Sequence, residues 1–286
     1  MVTKRVPLLL QAPSLIIIWS LVGYVLPWLI FASVNAYSAG RGFVFTGADN
    51  YIKLLFDSRM HSALIRSFYY SGLGTLIEVT MGLLLALALI NAVQNEKLRL
   101  GLFLIFLIPI TISEAVVANL FNLLLTPPGY LNSFLRASGL NPVNWLSVNN
   151  ALPTLIFVDV WQWTSLPFLL IYASRMSIPK EFYELAALER LPPWKTFRVV
   201  TWPHIKWAVG VSVLLRLIFM NMYIDKIIIL TYGGPGLATE TLGFYVFLQS
   251  FQYGALGYAA TLSVFTLIFI ALLTYAFWRL IRRGVD

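Results

Sequence analysis

Between Ile178 and Ile205 the chain reads I-P-K-E-F-Y-E-L-A-A-L-E-R-L-P-P-W-K-T-F-R-V-V-T-W-P-H-I. Long apolar runs flank this stretch on both sides. Within it sit Lys180, Glu181, Glu184, Glu189, Arg190, Lys195, Arg198 and His204. A single Arg or Asp at the centre of a hydrocarbon layer costs about 2.5–3.5 kcal/mol on insertion scales. The stretch therefore lies in water or at the membrane interface. It is not a random loop. Glu181–Leu191 is built of good helix formers, and Pro192-Pro193 stops that helix. Trp194–Trp202 has the composition of a second helical piece, limited by Pro203. Tyr183, Ala187 and Arg190 fall on one helical stripe with Ala186 beside it, and small side chains there let another surface come close. The spacing predicts a docking element held between two membrane-crossing helices.

The rest of the chain agrees. Of its 286 residues, 59% are hydrophobic and 11% charged, against about 45–50% and about 25% in soluble domains. This is the composition of an all-α integral membrane protein. Six spans are expected, at about residues 8–31, 67–93, 100–125, 151–176, 207–232 and 258–281, with the charged stretch at about 177–206. Each exceeds the roughly 20 residues needed to cross the hydrocarbon. The first span follows Lys4 and Arg5 but is longer than the 7–15-residue core of a signal peptide, so it reads as a retained helix. No internal repeat is visible, and a single domain is expected over 1–286.

Lys and Arg give the orientation. Lys4, Arg5, Lys97, Arg99, Arg175, Lys180, Arg190, Lys195, Arg198, Lys206, Arg279, Arg282 and Arg283 fall on the side of the charged stretch, whereas Arg41, Lys53, Arg59, Arg66 and Arg136 fall on the other. That asymmetry places both termini and the charged stretch in the cytoplasm. It also accounts for the net charge of +8 without nucleic acid, since no basic aromatic patch on a soluble surface is visible. With no Cys and only two His, His61 and His204, a disulfide framework, a thiol nucleophile and a Cys/His metal site are not expected.

Four stretches resemble one family. I-P-x-E-x-Y-E-x-A followed by W-x-x-F-x-x-x-x-x-P is similar to the EAA coupling loop of the permeases of ABC importers, and closest to the sugar (maltose-type) class. The matching positions are Ile178, Pro179, Glu181, Tyr183, Glu184, Ala186, Trp194, Phe197, Thr201 and Pro203. Two positions depart: Leu185 stands where Ala is usual, and Glu189-Arg190 where Asp-Gly is usual. L-T-Y-G-G-P-G at Leu230–Gly236 resembles the segment after the fifth core helix of the same class. L-G-Y-A-A-T-L-S-V at Leu256–Val264 resembles the start of its last helix. Near the N-terminus Pro13, Tyr24, Pro27, Gly47, Asn50 and Tyr51 also fit, so the resemblance covers nearly the whole chain.

The resemblance implies a permease in a bacterial or archaeal cytoplasmic membrane. Its expected partners are a second homologous permease, two ATPase subunits, an extracytoplasmic solute-binding protein and a sugar substrate, with membrane lipid around it. No phosphate-binding G-x-x-x-x-G-K-[ST] loop occurs in the chain, so ATP and Mg are expected on the ATPase partner, with no cofactor and no catalysis here. Contact with that partner is expected from Tyr183, Glu184, Ala186, Ala187, Glu189 and Arg190, Ala186 for close approach and Glu184 for polar pairing.

Polar residues inside spans are costly and tend to face a bundle interior or a cavity. Glu78, Glu114, Asp159, Arg216, Asp225 and Lys226 are of this kind. Asp159, Gln162 and Trp163 share one face of span four, and Arg216, Met220 and Tyr223 one face of span five, with Asn221 and Asp225 as a second i, i+4 pair. A sugar needs hydrogen-bonding side chains and an aromatic plate. Asp159, Gln162, Asn221 and Tyr223 supply the first, and Trp161 or Trp163 the second. The resemblance implies that Asp159, Gln162, Trp163, Met220 and Tyr223 fall where maltose-type permeases line their sugar site. The same polar residues can instead glue helices together, Asp159 pairing with Arg216, while Lys226 can snorkel to the outer end of span five. Two other classes compete: an ion-coupled secondary transporter using Glu78, Glu114 and Asp159, and an intramembrane protease using two carboxylates, for which the Gly-rich context of a catalytic Asp is absent.

Overall fold

The structure, a computed structural model, describes residues 6–38, 40 and 42–283. Lys4, Arg5 and Arg41, used above for orientation, lie outside the described residues. The chain divides into two compact units, Met1–His61 with Tyr245–Phe269, and Ser62–Phe244 with Ile270–Asp286.

In the first unit, helix α1 (Val6–Ser33) is apolar all round. Trp19 and Tyr24 are about seven-tenths exposed, as expected of a helix whose solvent is lipid. A hairpin of β1 (Asn35–Ser38) and β2 (Gly42–Phe45) follows, then α2 (Asp49–Phe56). Asn50 holds the turn after α1 by donating to the Ser33 and Asn35 carbonyls, both at 3.0 Å. Asp57 caps the next helix, α3 (Ser58–Ala92), accepting at Oδ1 from the Arg59 and Met60 amides. Its Oδ2 accepts from the hydroxyls of Tyr245, in α13 (Leu242–Phe247), and Tyr258, in α14 (Leu256–Arg283). Burial alone would raise the Asp57 carboxyl, but these four hydrogen bonds outweigh it and hold the group below the ordinary Asp range.

The second unit is a helical bundle. After α3 come α4 (Glu96–Thr111), α5 (Glu114–Leu125), α6 (Tyr130–Ala137), α7 (Ala151–Trp163) and α8 (Ser165–Met176). Next are α9 (Lys180–Leu188), the short α10 (Pro193–Thr196), α11 (Trp202–Met222) and α12 (Asp225–Leu230). Gly82 of α3 lies so close to α8 that a Cβ there would stand 2.7 Å from the Phe168 amide nitrogen. Hydrogen is tolerated there and a methyl group would not be.

Among the described residues five helical stretches are long and apolar enough to cross a membrane, and a bent pair, counted as one span, makes a sixth. The expectation of six spans is met in number but not in regularity. The third span is not one helix. It breaks at Ile112-Ser113, and the two halves meet at 94°. Pro109 has no N–H and its ring crowds the preceding turn, while Ile112 is extended at ψ 135° and Ser113 stands at the N-cap of the next helix. The fifth span breaks as well. Tyr223 is extended and α12 restarts at Asp225, so Asn221 and Asp225 do not form the continuous i, i+4 pair read from the sequence. Pro203, in turn, does not end a helix. A π turn at Phe197–Thr201, in which the Trp202 amide donates to the Phe197 carbonyl, shifts the hydrogen-bond ladder just before Pro203 and lets the ring sit within the helix. Helix therefore continues from Pro193 to Met222.

Candidate functional site

Two places in the second unit gather polar chemistry. The first is at the helix breaks. Arg216 of α11 is fully buried. Its Nε donates to Glu78 Oε2 at 2.5 Å and its Nη2 to Glu78 Oε1 at 3.0 Å and Asp159 Oδ2 at 2.6 Å. Lys226, in the first turn of α12, donates to Asp159 Oδ1 and lies 2.9 Å from Glu114 Oε2. Glu114 Oε1 in turn accepts from Trp163 Nε1 at 2.5 Å. Three carboxylates and two cations from α3, α5, α7, α11 and α12 thus form one chain of charge-assisted hydrogen bonds. Of the arrangements open to these side chains, the helix-joining pair of Asp159 with Arg216 is present, and Lys226 does not snorkel, being 3% exposed.

Aromatic rings cover this network. The Arg216 guanidinium lies 4.6 Å from the centre of the Trp163 ring. Trp163 stacks on Tyr223 at 6.0 Å and 14° and packs on Phe219. Tyr223 keeps 41% of its surface exposed because the α11 break turns it outward. Gln162 donates to the Ile112 carbonyl at 2.7 Å, one of the groups freed by the break in span three. Breaks at membrane depth persist only where they are buried in protein or line a cavity. Two buried polar atoms of this network have no protein partner among the described residues, Gln162 Oε1 and Arg216 Nη1.

The remaining residues suggested for sugar contact lie elsewhere. Trp161 faces away from the network, packing on Phe121 and lining an apolar recess of about 690 Å³ with Ile77, Ile105 and Phe157. It turns away because residues two apart on a helix diverge by about 200°. Met220 is buried against α3, where its thioether meets Gly74 and Thr75. Asn221 is buried and donates to the carbonyl of Leu217 on its own helix. Glu78, by contrast, is not among the residues suggested for the site, and an intramembrane carboxylate is its only signal in the sequence. The carboxylates open to an ion-coupled reading, Glu78, Glu114 and Asp159, all carry a cation partner already, and Asp225 is exposed.

The second place is the charged stretch. Helix α9 stops at Leu188, earlier than the two prolines. Arg190 adopts φ 51°, the Arg190 amide donates to the Ala187 carbonyl and the Leu191 amide to the Ala186 carbonyl, each at 3.0 Å. This is a Schellman closure with Arg in the left-handed position that glycine usually fills. It explains how the chain manages with Glu189-Arg190 where the resembling loops have Asp-Gly.

The helix presents two unlike faces. On the inner one, Ala186 is buried with Ile178, Phe168, Ile171, Ala86, Leu89, Val200 and Ile205. The Tyr183 hydroxyl bonds Thr201 at 3.0 Å, and the Arg175 guanidinium lies 3.9 Å from the Tyr183 ring. The close approach that Ala186 permits is therefore to its own chain, because Ile178, Val200 and Ile205 bring α8 and α11 against it. On the outer face Glu184, Ala187, Glu189 and Arg190 are exposed, as are Leu185 at 59% and Leu188 at 79%.

Comparison with known proteins adds a third line. Residues 78–285 match the family described as "Binding-protein-dependent transport system inner membrane component". A probable ABC transporter permease of Sinorhizobium fredii is 31% identical, over 94% of this chain and 88% of its own length. The lactose transport system permease of Rhizobium radiobacter is 30% identical (82% and 81%), and the trehalose/maltose permease of Thermococcus litoralis 29% identical (83% and 80%). Among solved structures, a chain of a bacterial ABC transporter involved in alginate import superposes with a TM-score of 0.83 at 23% identity, covering 99% of this chain and 98% of that one.

Proposed function

This chain belongs to the family of inner membrane components of binding-protein-dependent transport systems, and from that premise we propose that it forms half of the pathway of an ATP-driven importer for a saccharide. The observation that carries the proposal is the two-faced helix α9. Its inner face is locked to α3, α8 and α11 through Ala186, Ile178 and Tyr183. Its outer face leaves Glu184, Leu185 and Leu188 uncovered. Apolar side chains left uncovered on a short charged helix mark a docking surface. A force on that face is delivered to two spans at once, and those spans carry Asp159, Trp163 and Arg216.

On this reading the chain makes and breaks no bonds. ATP and Mg bind a separate ATPase, two copies of which dock on α9 and on the matching helix of a second permease. A loaded solute-binding protein approaches from the opposite side. Closure of the ATPases moves α9, and hydrolysis resets it. Both termini and α9 face the cytoplasm of a bacterial or archaeal cell. Saccharide transport is supported by the names of the relatives and by the Trp163–Tyr223 stack, a plate suited to a sugar ring.

The test is co-purification of the tagged chain with its genetic neighbours, followed by ATPase assays with binding protein and a panel of sugars. An associated ATPase stimulated by a sugar, with stimulation lost in Glu184→Lys, is the expected result. If no ATPase accompanies the chain in mild detergent, the reading fails.

A further inference from the structure

A cavity of about 390 Å³ lies on the flank of α9, walled by α3, α8, α9, α10 and the π turn. Arg175 is its one charged lining residue. The guanidinium stacks on the Tyr183 ring at 3.9 Å, a contact that uses the face of the group and leaves its N–H edge open. Among the described residues no carboxylate comes within ion-pair distance of Arg175, and no acceptor takes up its N–H groups. Arg175 stands in the last turn of α8. The C-terminus of a helix contributes only about half a negative charge, so a net positive charge faces the cavity. Two further donors line it. The Asn91 amide, at the end of α3, donates to no group among the described residues. The Tyr183 and Thr201 hydroxyls share one hydrogen bond at 3.0 Å, which uses one of their two protons and leaves the other to donate.

We infer that this cavity binds a phosphate ester, with Arg175 as the anion-binding residue and Asn91 and the Tyr183–Thr201 hydroxyl pair as the remaining donors. A guanidinium fork, an amide and a hydroxyl suit the free oxygens of a phosphate, and a charged donor facing an anion makes the strong kind of hydrogen bond. The volume falls within the roughly 300–1,000 Å³ of small-molecule sites, more than a bare phosphate fills. Leu87, Leu191 and Phe197 give an apolar wall for the organic body of the ester. Two sources carry this chemistry. One is a soluble phosphorylated metabolite. The other is the headgroup of an anionic phospholipid, which basic pockets between helix ends accommodate; Asn91 and Arg175 both stand where a membrane-crossing helix ends. Because Tyr183 and Ala187 form the α9 wall, an occupant braces α9 against α3. That consequence rests on the coupling role proposed for α9, whereas the site itself does not.

The test measures equilibrium binding to the full-length chain in detergent. Glucose phosphate and glucose form a matched soluble pair, and phosphatidylglycerol and phosphatidylcholine a matched lipid pair, the second of each carrying no net negative charge. Saturable binding of the anionic member of one pair, at least about tenfold tighter than its neutral counterpart, is expected. A response in the soluble pair identifies a metabolite, and one in the lipid pair a headgroup. Asn91→Asp then places a carboxylate in the cavity with Arg175 without disturbing the packing, since Asn91 is exposed. It should weaken binding of the responding anion by roughly tenfold or more, and Arg175→Met should do the same. Equal binding within both pairs overturns the inference, as does unchanged affinity in Asn91→Asp. It is also overturned if the native chain binds neither anion while Arg175→Met loses its associated ATPase, which would give the cavity to an acidic segment of that partner. Should Arg175→Met not fold, Asn91→Asp decides alone.

Discussion

Replacing Arg216 with Met tests the energetic core of this protein. Arg216 makes three charge-assisted hydrogen bonds, two to Glu78 and one to Asp159, and has no exposed surface. Methionine has a similar stem and fills most of the volume, so little of the effect comes from a cavity. The loss falls on Glu78, which is also without exposed surface and has Arg216 as its cation. Asp159 keeps Lys226. Breaking a buried pair by removing one partner costs about 3–5 kcal/mol. At roughly 2 °C per kcal/mol for a chain of this size, the melting temperature of the detergent-solubilised protein should fall by roughly 8 °C. The double variant Arg216→Met/Glu78→Met removes the stranded charge and should return to within about 1 kcal/mol of the native protein, since apolar replacements of buried ion pairs are often neutral. Melting followed by intrinsic fluorescence or light scattering reads both. If the double variant is as unstable as the single one, the penalty is not a stranded carboxylate, and the charge reasoning used for this site is wrong.

Two further outcomes concern the parts outside the membrane. Arg190→Gly relieves a left-handed residue at the end of α9; set against the greater freedom of glycine in the unfolded chain, it should stabilise by about 0.5–1 kcal/mol. Slower amide exchange at Leu191, whose N–H closes the cap, would show it, and faster exchange would sink the assignment. Asp57, held below its ordinary value of 3.8, contributes stability that is present above that value and is lost as pH falls through and below it. Melting temperature should drop more steeply with acidification in the native protein than in Asp57→Asn; parallel curves would refute this.

How much of this is legible in the sequence differs from residue to residue. The membrane class, the number of crossings and the exceptional character of residues 178–205 are readable because hydropathy and charge are local sums along the chain. Prolines and glycines are less informative. Pro192-Pro193 has the look of the stop of α9, but Arg190 ends it two residues earlier, by a conformation that a non-glycine residue rarely adopts. Pro203 has the look of a stop and sits inside a continuous helix, because a π turn before it changes which carbonyl needs a donor. The break at Ile112-Ser113 is marked in the sequence only by Pro109 and the polar trio Thr111, Ser113 and Glu114 inside an otherwise apolar run, a mark that does not specify a 94° bend.

The sequence by itself determined that this chain crosses a membrane, that a charged helical element stands between its fourth and fifth spans, and that several ionisable groups are forced into the apolar layer. Only the tertiary structure decided which of those groups meet. Glu78 and Arg216 are 138 positions apart and Asp159 and Lys226 are 67 apart, and no periodicity along one helix specifies a partner on another. The same holds for Ala186 and Trp161. Their helices are legible, but the face each buries depends on which neighbours pack there. A residue's environment in a bundle is set by contacts between distant segments, whereas hydropathy and helical spacing report only on the segment itself.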